Sequence, residues 1–218
     1  MELLKCMEAR HSVRQYTDKA IEAEKREILD KLVKEINEEA GLHIQILYEE
    51  PKCFDSFMAH YGKFSGVRNY IALVGKKSPN LEETMGYYGE KLVLKAQELG
   101  LNTCWVALTK GKSTAVVNKG EKQGCLIPIG YGKNQGVSHK SKAMSEVSNY
   151  VEGQPDWFKQ GIKAVLLAPT AMNQQKFFFT LHEDETVTAV PGSGFYTKED
   201  LGIARYHFEA VTGKKVVK

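Results

Sequence analysis

The sequence predicts an α+β protein built as two pseudo-symmetric halves, and two observations carry that prediction. Patterned segments run helix (Ile21 to Glu38), strand (His43 to Tyr48), strand (Tyr70 to Gly75), helix (Thr84 to Leu99). The same order returns as helix (Asp156 to Leu167), strand (Phe177 to Leu181), strand (Thr186 to Val190), helix (Lys198 to Val211). The repeat is one of pattern and not of identity, and ordinary helix–strand alternation is the competing explanation. The second observation is the segment Thr84–Leu108, TMGYYGEKLVLKAQELGLNTCWVAL. Met85, Tyr88, Leu92, Ala96 and Leu99 fall at helical steps, and Val93 and Leu94 widen the stripe around most of the circumference, the pattern of a buried helix. Gly100 suits a left-handed C-cap, after which Leu101–Val106 is delivered into the interior as a loop or strand. The chain is read as one domain, 1–218, with halves of about 1–145 and 146–218.

Composition narrows the class. With 218 residues, 42% hydrophobic and 26% charged, the chain can bury a real core and matches an ordinary globular protein. A formal charge of +3 is too small to make nucleic acid the main partner, although a few clustered cations still suit a small anion. The four cysteines (Cys6, Cys53, Cys104, Cys125) lie far apart, with no CxxC and no histidine at ligand spacing. That argues against a zinc site or disulfide scaffold and for a reducing compartment. No apolar run reaches membrane-span length, and MELLKCMEAR lacks the apolar core of a signal peptide. The expectation is a cytoplasmic protein that does not bind membranes.

Taken in order, Leu3, Leu4 and Met7 predict a short opening helix ending near Ala9. Ile28, Leu29, Leu32, Val33 and Ile36 form the stripe of a surface helix closed by Gly41. HIQILY (His43–Tyr48) and YIALVG (Tyr70–Gly75) are strand-like, with a loop or broken helix at Met58–Val67 between them. After the central helix comes a polar stretch from Lys110 to Gln123, then CLIPIG (Cys125–Gly130) as a third strand. Its Pro128 predicts a sheet edge or a strand end. Gly130–Gly136 is glycine-rich, but its spacing is wrong for a dinucleotide loop and no amphipathic helix follows. In the second half, Trp157, Phe158, Ile162 and Val165 mark a helix, and FFFTL and Thr186–Val190 a possible hairpin. Pro191–Gly194 is a turn, and Leu201, Ile203, Ala204, Phe208 and Val211 line the last helix.

Two basic clusters are candidates for anion binding. Ala9–Tyr16 is not helical in pattern, and in an extended arm Arg10, Ser12 and Arg14 point to one side. Two guanidiniums and a hydroxyl on one face suit a phosphate, because the arginine fork donates parallel hydrogen bonds to an oxyanion. The same residues also suit a solvated basic arm. Lys140 and Lys142, in His139-Lys140-Ser141-Lys142, are either a second cationic cluster or a solvated loop. Cys104 reads as a small buried residue, Trp105 and Tyr131 as packing residues, and His207 as a structural hydrogen-bonder. His60, Tyr61 and Lys63 lie in a loop that is a candidate pocket lining.

Four stretches together carry a family resemblance: Ala9-Arg10-His11-Ser12-Val13-Arg14, Gly100-Leu101-Asn102-Thr103-Cys104-Trp105, His139-Lys140-Ser141-Lys142 and Ala168-Pro169-Thr170-Ala171-Met172-Asn173-Gln174-Gln175. The chain resembles the FMN-dependent nitroreductase and flavin reductase family over nearly its whole length. The A-P-[ST]-A-M-N-Q-Q match is the most specific, with R-H-S-x-R in support. The resemblance implies a nitroreductase-like α+β fold, with a mixed or antiparallel central sheet flanked by helices. It also implies an FMN site. Arg10, His11 and Ser12 then belong to the phosphate arm, and Arg14 to the ribityl chain or pyrimidine edge. Lys140 and Lys142 match late phosphate contacts, and the backbone of Thr103, Cys104, Trp105 and Val106 the segment near flavin N5 and O4. Pro169, Thr170, Ala171, Met172 and Asn173 match the segment that covers the isoalloxazine across a subunit interface.

The motif order differs from the common one. The A-P-[ST]-x-x-N segment lies in the second half, and Lys176 and Phe177 replace the Pro and Trp that often follow it. With the internal repeat, this resembles the branch, of thermophile type, in which one chain imitates the usual homodimer. The expected partners are small molecules only, with a monomeric pseudo-dimer favoured over a homodimer. The implied activity is ping-pong: NADH or NADPH reduces FMN, and a nitroaromatic, quinone or free flavin is the electron acceptor. No residue need act as a catalytic acid or nucleophile, because the cofactor carries the chemistry. Two further readings stay open: a flavin-binding or storage protein on the same scaffold, and a scaffold without cofactor that serves as an interaction module.

Overall fold

A computed structural model describes residues 3–217. In chain order the elements are α1 (Leu3–Ala9), α2 (Ala23–Ala40), β1 (Gln45–Leu47), α3 (Phe57–Tyr61), β2 (Tyr70–Lys76), α4 (Leu81–Glu98), β3 (Asn102–Thr103), β4 (Glu121–Gly130), α5 (Met144–Val147), α6 (Asp156–Val165), β5 (Phe177–Leu181), β6 (Val187–Pro191), α7 (Thr197–Thr212) and β7 (Val216–Val217). Single 3-10 turns occupy Lys52–Phe54 and Ala171–Asn173. The class is the mixed α+β expected. Contacts divide the chain into two compact units.

One unit is Arg10–Leu81 with Leu92–Ser138. Its sheet has the order β1-β2-β4-β3, antiparallel throughout. β2 is buried over Tyr70–Gly75, as its apolar run requires of a strand paired on both sides. Helix α2 buries Leu29, Val33 and Ile36, and Gly41, at φ 63°, ends it by donating its N–H to Asn37 O. β4 starts at Glu121, four residues before its apolar part, because the polar Glu121–Gln123 pairs with Val74–Lys76. Of the two alternatives for Pro128, the sheet edge fails, since β4 lies between β2 and β3, while the strand end holds to within two residues, β4 stopping at Gly130. Leu126 exchanges both backbone hydrogen bonds with Val106. Pro128, two residues on, faces the same neighbour with no N–H to give, and the β3–β4 ladder is interrupted there. The core gathers Val13, Tyr16, Phe54, Phe64, Tyr70, Cys104 and Leu126.

The other unit consists of the described parts of Met1–Ala9, Glu82–Lys91 and His139–Lys218. The hairpin β5–β6 pairs in register from Phe177↔Pro191 to Leu181↔Val187, and β7 adds parallel to β6. Helix α7 lies against the first half of α4 with backbone touching backbone. A Cβ on Gly202 would stand 2.0 Å from Glu83 O, and one on Gly86 would stand 2.1 Å from Glu199 O. Around that contact Arg205 pairs with Glu83, and Tyr87 Oη donates to Glu209 at 3.0 Å. His207 and Glu90 are both 0% exposed. The His207 ring meets Ala164 O through Nδ1 and Glu90 Oε1 through Nε2, each at 2.9 Å, so a proton must be held within the His207–Glu90 pair. That is the structural role the sequence suggested for His207. All four cysteines are buried, and none is in a disulfide. No helix among the described residues is long and apolar enough to cross a membrane.

Candidate functional site

The segment after α1 is extended because both its sides are taken up by backbone pairing. Val13 N–H donates to Thr103 O at 3.0 Å, and Tyr16 N–H to Ser65 O at 2.9 Å. Ser65 N–H donates back to Arg14 O at 3.0 Å, and Lys133 N–H to Gln15 O at 2.8 Å. Val13 and Tyr16 anchor the arm in the core, and the Tyr16 hydroxyl donates to Val13 O at 2.8 Å. Arg10 is 4% exposed, Ser12 half-buried and Arg14 exposed.

All three residues act electrostatically on the buried Cys104 thiol. Burial pushes that thiol's pKa up, and Arg14, a hydrogen bond from Ser12, and Arg10 oppose the rise in that order. Raised by burial, the thiol is a packing group and not a nucleophile. Thr103 and Val106 are buried and Trp105 half-buried, with Val106 bonded to Leu126 across the interrupted ladder.

The glycine-rich loop Gly130–Gly136 turns out to clamp this arm. A Cβ on Gly136 (φ +70°) would lie 2.7 Å from His11 Cβ and 3.0 Å from Ser12 O. Buried Asn102 accepts from Gly132 N–H at 2.9 Å and donates to Gln135 Oε1 at 3.0 Å. Sequence reasoning missed Asn102 as a support because it falls inside an apolar run. The same unit holds a cleft of about 780 Å³ lined by Tyr16, Pro51, Phe54, His60, Arg68 and Lys133, among others. His60 pairs there with Asp55 at 3.1 Å, and Tyr61 and Lys63 are exposed beside it.

In the other unit, Lys140 and Lys142 are tied to the segment Ala168–Gln175. Asn173 Nδ2 donates to Lys140 O at 2.9 Å, and Lys142 Nζ to Gln175 O at 3.1 Å. Met172, Asn173 and Gln175 are left-handed, at φ 52°, 52° and 44°. Such conformations cost non-glycine residues roughly 1–3 kcal/mol each and persist only where surroundings impose them. Pro169 is buried, Thr170 half-buried, and Met172 is 99% exposed.

Asp200, on α7, holds this turn from behind. Its carboxylate accepts from Ala171 N–H at 2.9 Å and from Gln174 Nε2 at 2.7 Å. Burial raises its pKa to about 6, with the two hydrogen bonds opposing the rise. Neither Asp200 nor Gln175 stood out in the sequence as a site residue. An acidic residue in a first helical turn reads as a partner for the helix dipole, and only the tertiary contact reveals its other task.

The chain matches the family described as "Putative TM nitroreductase" over residues 2–212. Among solved structures, a "putative nitroreductase" from Thermotoga maritima MSB8 is 20% identical with a TM-score of 0.72, over 100% of this chain and 89% of that one. A "putative nitroreductase in complex with FMN" from Desulfovibrio desulfuricans is 15% identical with a TM-score of 0.54, over 71% and 98% of the two chains. A "Putative NADH Oxidase" from Clostridium acetobutylicum is 18% identical with a TM-score of 0.52, over 67% and 98%. At these identities the likeness is one of fold. No curated protein sequence matches the chain.

Proposed function

Because the chain belongs to the "Putative TM nitroreductase" family and is an oxidoreductase by that membership, we propose that it is an FMN-dependent NAD(P)H oxidoreductase acting on flat acceptors such as nitroaromatics, quinones or flavins. The observation that carries the proposal is the arm held extended by Val13 N–H to Thr103 O and Ser65 N–H to Arg14 O, with Arg10, Ser12 and Arg14 at alternate positions along it. Bound FMN would supply the redox chemistry, taking two electrons from a nicotinamide and passing them on. The donor set fits that group. A phosphate dianion asks for several charge-assisted hydrogen bonds, each about 1.5–3 kcal/mol, and the arm presents two guanidiniums and a hydroxyl. Lys140 and Lys142 are the second set of candidate phosphate donors.

The residues' tasks follow from their chemistry. The buried Arg10 guanidinium would orient an oxyanion, and exposed Arg14 would offer a fork to a carbonyl edge. The backbone of Thr103–Val106 is the proposed support for the flavin edge, and Pro169–Asn173 the proposed ring cover. The cleft beside His60 is of a size for a flat organic molecule and is the proposed acceptor pocket.

The test is anaerobic reduction. NADH or NADPH should bleach the visible absorbance of the FMN-loaded protein. A nitroaromatic or quinone should restore it, with parallel lines in double-reciprocal plots. FMN bound tightly but bleached by neither nucleotide would make this a flavin-storage protein instead.

A further inference from the structure

We infer that Gln175 is a positioning residue that joins Lys140, Lys142 and Asn173 into one preformed surface, so that an anion gripped by the lysines orders the segment Thr170–Asn173. The inference rests on the proposal that these residues serve FMN, and it names how that surface is regulated.

Gln175 is 2% exposed, and its carboxamide is fully engaged. Oε1 accepts from Lys142 N–H at 2.9 Å, and Nε2 donates to Lys140 O at 2.9 Å and to Asn173 Oδ1 at 2.8 Å. Its main-chain carbonyl accepts from Lys142 Nζ at 3.1 Å, and its N–H donates to Thr170 Oγ1 at 3.1 Å. Asn173 Nδ2 donates to the same Lys140 carbonyl at 2.9 Å. The two amide side chains and that carbonyl therefore close a ring. Flipping either amide would set oxygen against oxygen, so the ring fixes both orientations.

The ring also helps explain how Met172, Asn173 and Gln175 stay left-handed although the Met172 side chain is fully exposed. Met172 contributes no packing at 99% exposure, so polar bonds must hold the turn. Asp200 supplies some of those bonds, at Ala171 and Gln174, and those at Asn173 and Gln175 run to the backbone of the lysine segment. Restraint on Lys140–Lys142 thus reaches Asn173 through the Gln175 carboxamide and through the direct Asn173 Nδ2–Lys140 O bond, whose orientation that carboxamide fixes.

Two variants separate the parts of the argument. Gln175→Met keeps length and volume but makes none of the side-chain hydrogen bonds. Gln175→Glu keeps the acceptor for Lys142 N–H and loses both donations. In residue-resolved amide hydrogen exchange on the cofactor-free chain, Lys142 N–H should exchange at least tenfold faster in Gln175→Met and near the parent rate in Gln175→Glu. Inorganic phosphate should slow exchange at Ala171–Gln174 in the parent and clearly less in both variants, which keep only the contacts that bypass the Gln175 carboxamide. Parent-like Lys142 exchange in Gln175→Met, or a parent that ignores phosphate, overturns the inference. The exchange pattern as expected, with FMN affinity unchanged in both variants, upholds the joint while removing the cofactor assignment. Should Gln175→Met not fold, the phosphate response of Gln175→Glu decides alone.

Discussion

Replacing Arg10 with alanine takes away a buried guanidinium from the arm that also carries Ser12 and Arg14. One lost charge-assisted bond of about 1.5 kcal/mol predicts roughly tenfold weaker FMN binding in equilibrium dialysis. Arg10→Lys should restore only part of it, since the charge returns without the fork. Retention equal to the parent's would remove Arg10 from the site. Asp200 makes a prediction of opposite kind. Its folded pKa of about 6 lies above the unfolded value of 3.8, so the folded state holds the proton more tightly between them. Stability from this group is fully present below the unfolded pKa and lost as pH rises through 6, up to about 3 kcal/mol at 1.36 kcal/mol per pKa unit. Urea unfolding midpoints should therefore drop more between pH 4.5 and 7 in the parent than in Asp200→Asn. Equal slopes would show that the carboxylate is not held out of water. Arg10, Ser12 and Arg14 were legible in the sequence because alternation along a short arm is a local property. Asp200 and Gln175 were not, because the contacts that give them their task, Asp200 to Gln174 and Gln175 to Lys140, span 26 and 35 residues and no spacing rule connects them.

Among the elements, the α4–α7 contact tolerates least. Alanine at Gly202 would bring a methyl to 2.0 Å from Glu83 O and 2.8 Å from Tyr87 N, backbone atoms that cannot rotate away. Gly202→Ala should cost about 3 kcal/mol or more, read as a lowered urea midpoint. Gly86→Ala meets Glu199 O at 2.1 Å and should cost a similar amount. The double variant should cost less than the sum, because once the helices have parted the second methyl finds room. Full additivity would mean the helices do not separate. The strand FFFTL and the Gly41 cap were legible from pattern, since each depends on neighbours in sequence. The first turn of α4 and the polar start of β4 were not. Leu81–Glu83 lies ahead of the apolar stripe, and Glu121–Gln123 is drawn into the sheet only by its partner strand.

For the whole molecule, the order of the motifs motivates a stoichiometric prediction. If one chain carries every wall of its cofactor site, one FMN should bind per chain and stay with the monomer. Light scattering during size exclusion, read together with flavin absorbance, measures both. Unfolding midpoints should then not vary with protein concentration, as those of an obligate dimer do. A dimer with two flavins, each needing Arg10 of one chain and Asn173 of the other, would rule this out. The fold class was legible at this scale because it needs only the order of elements. The membership of each unit was not, because α4 gives Glu82–Lys91 to one unit and its remainder, from Leu92, to the other.

The glycine-seated contact of α7 on α4 also bears on how the chain is made. Synthesis runs from the N-terminus, and a segment folds only once its partners have left the ribosome. The unit holding the arm is complete at Ser138, so its antiparallel sheet can close on the nascent chain. The other unit contains α1 and the first half of α4, whose partner helix is Thr197–Thr212. Until α7 emerges, Gly86 lacks the Glu199 backbone it packs against, and Glu90 lacks His207. That early surface must wait through most of translation, and stalling or truncation before Thr197 would leave it exposed to chaperones and proteases.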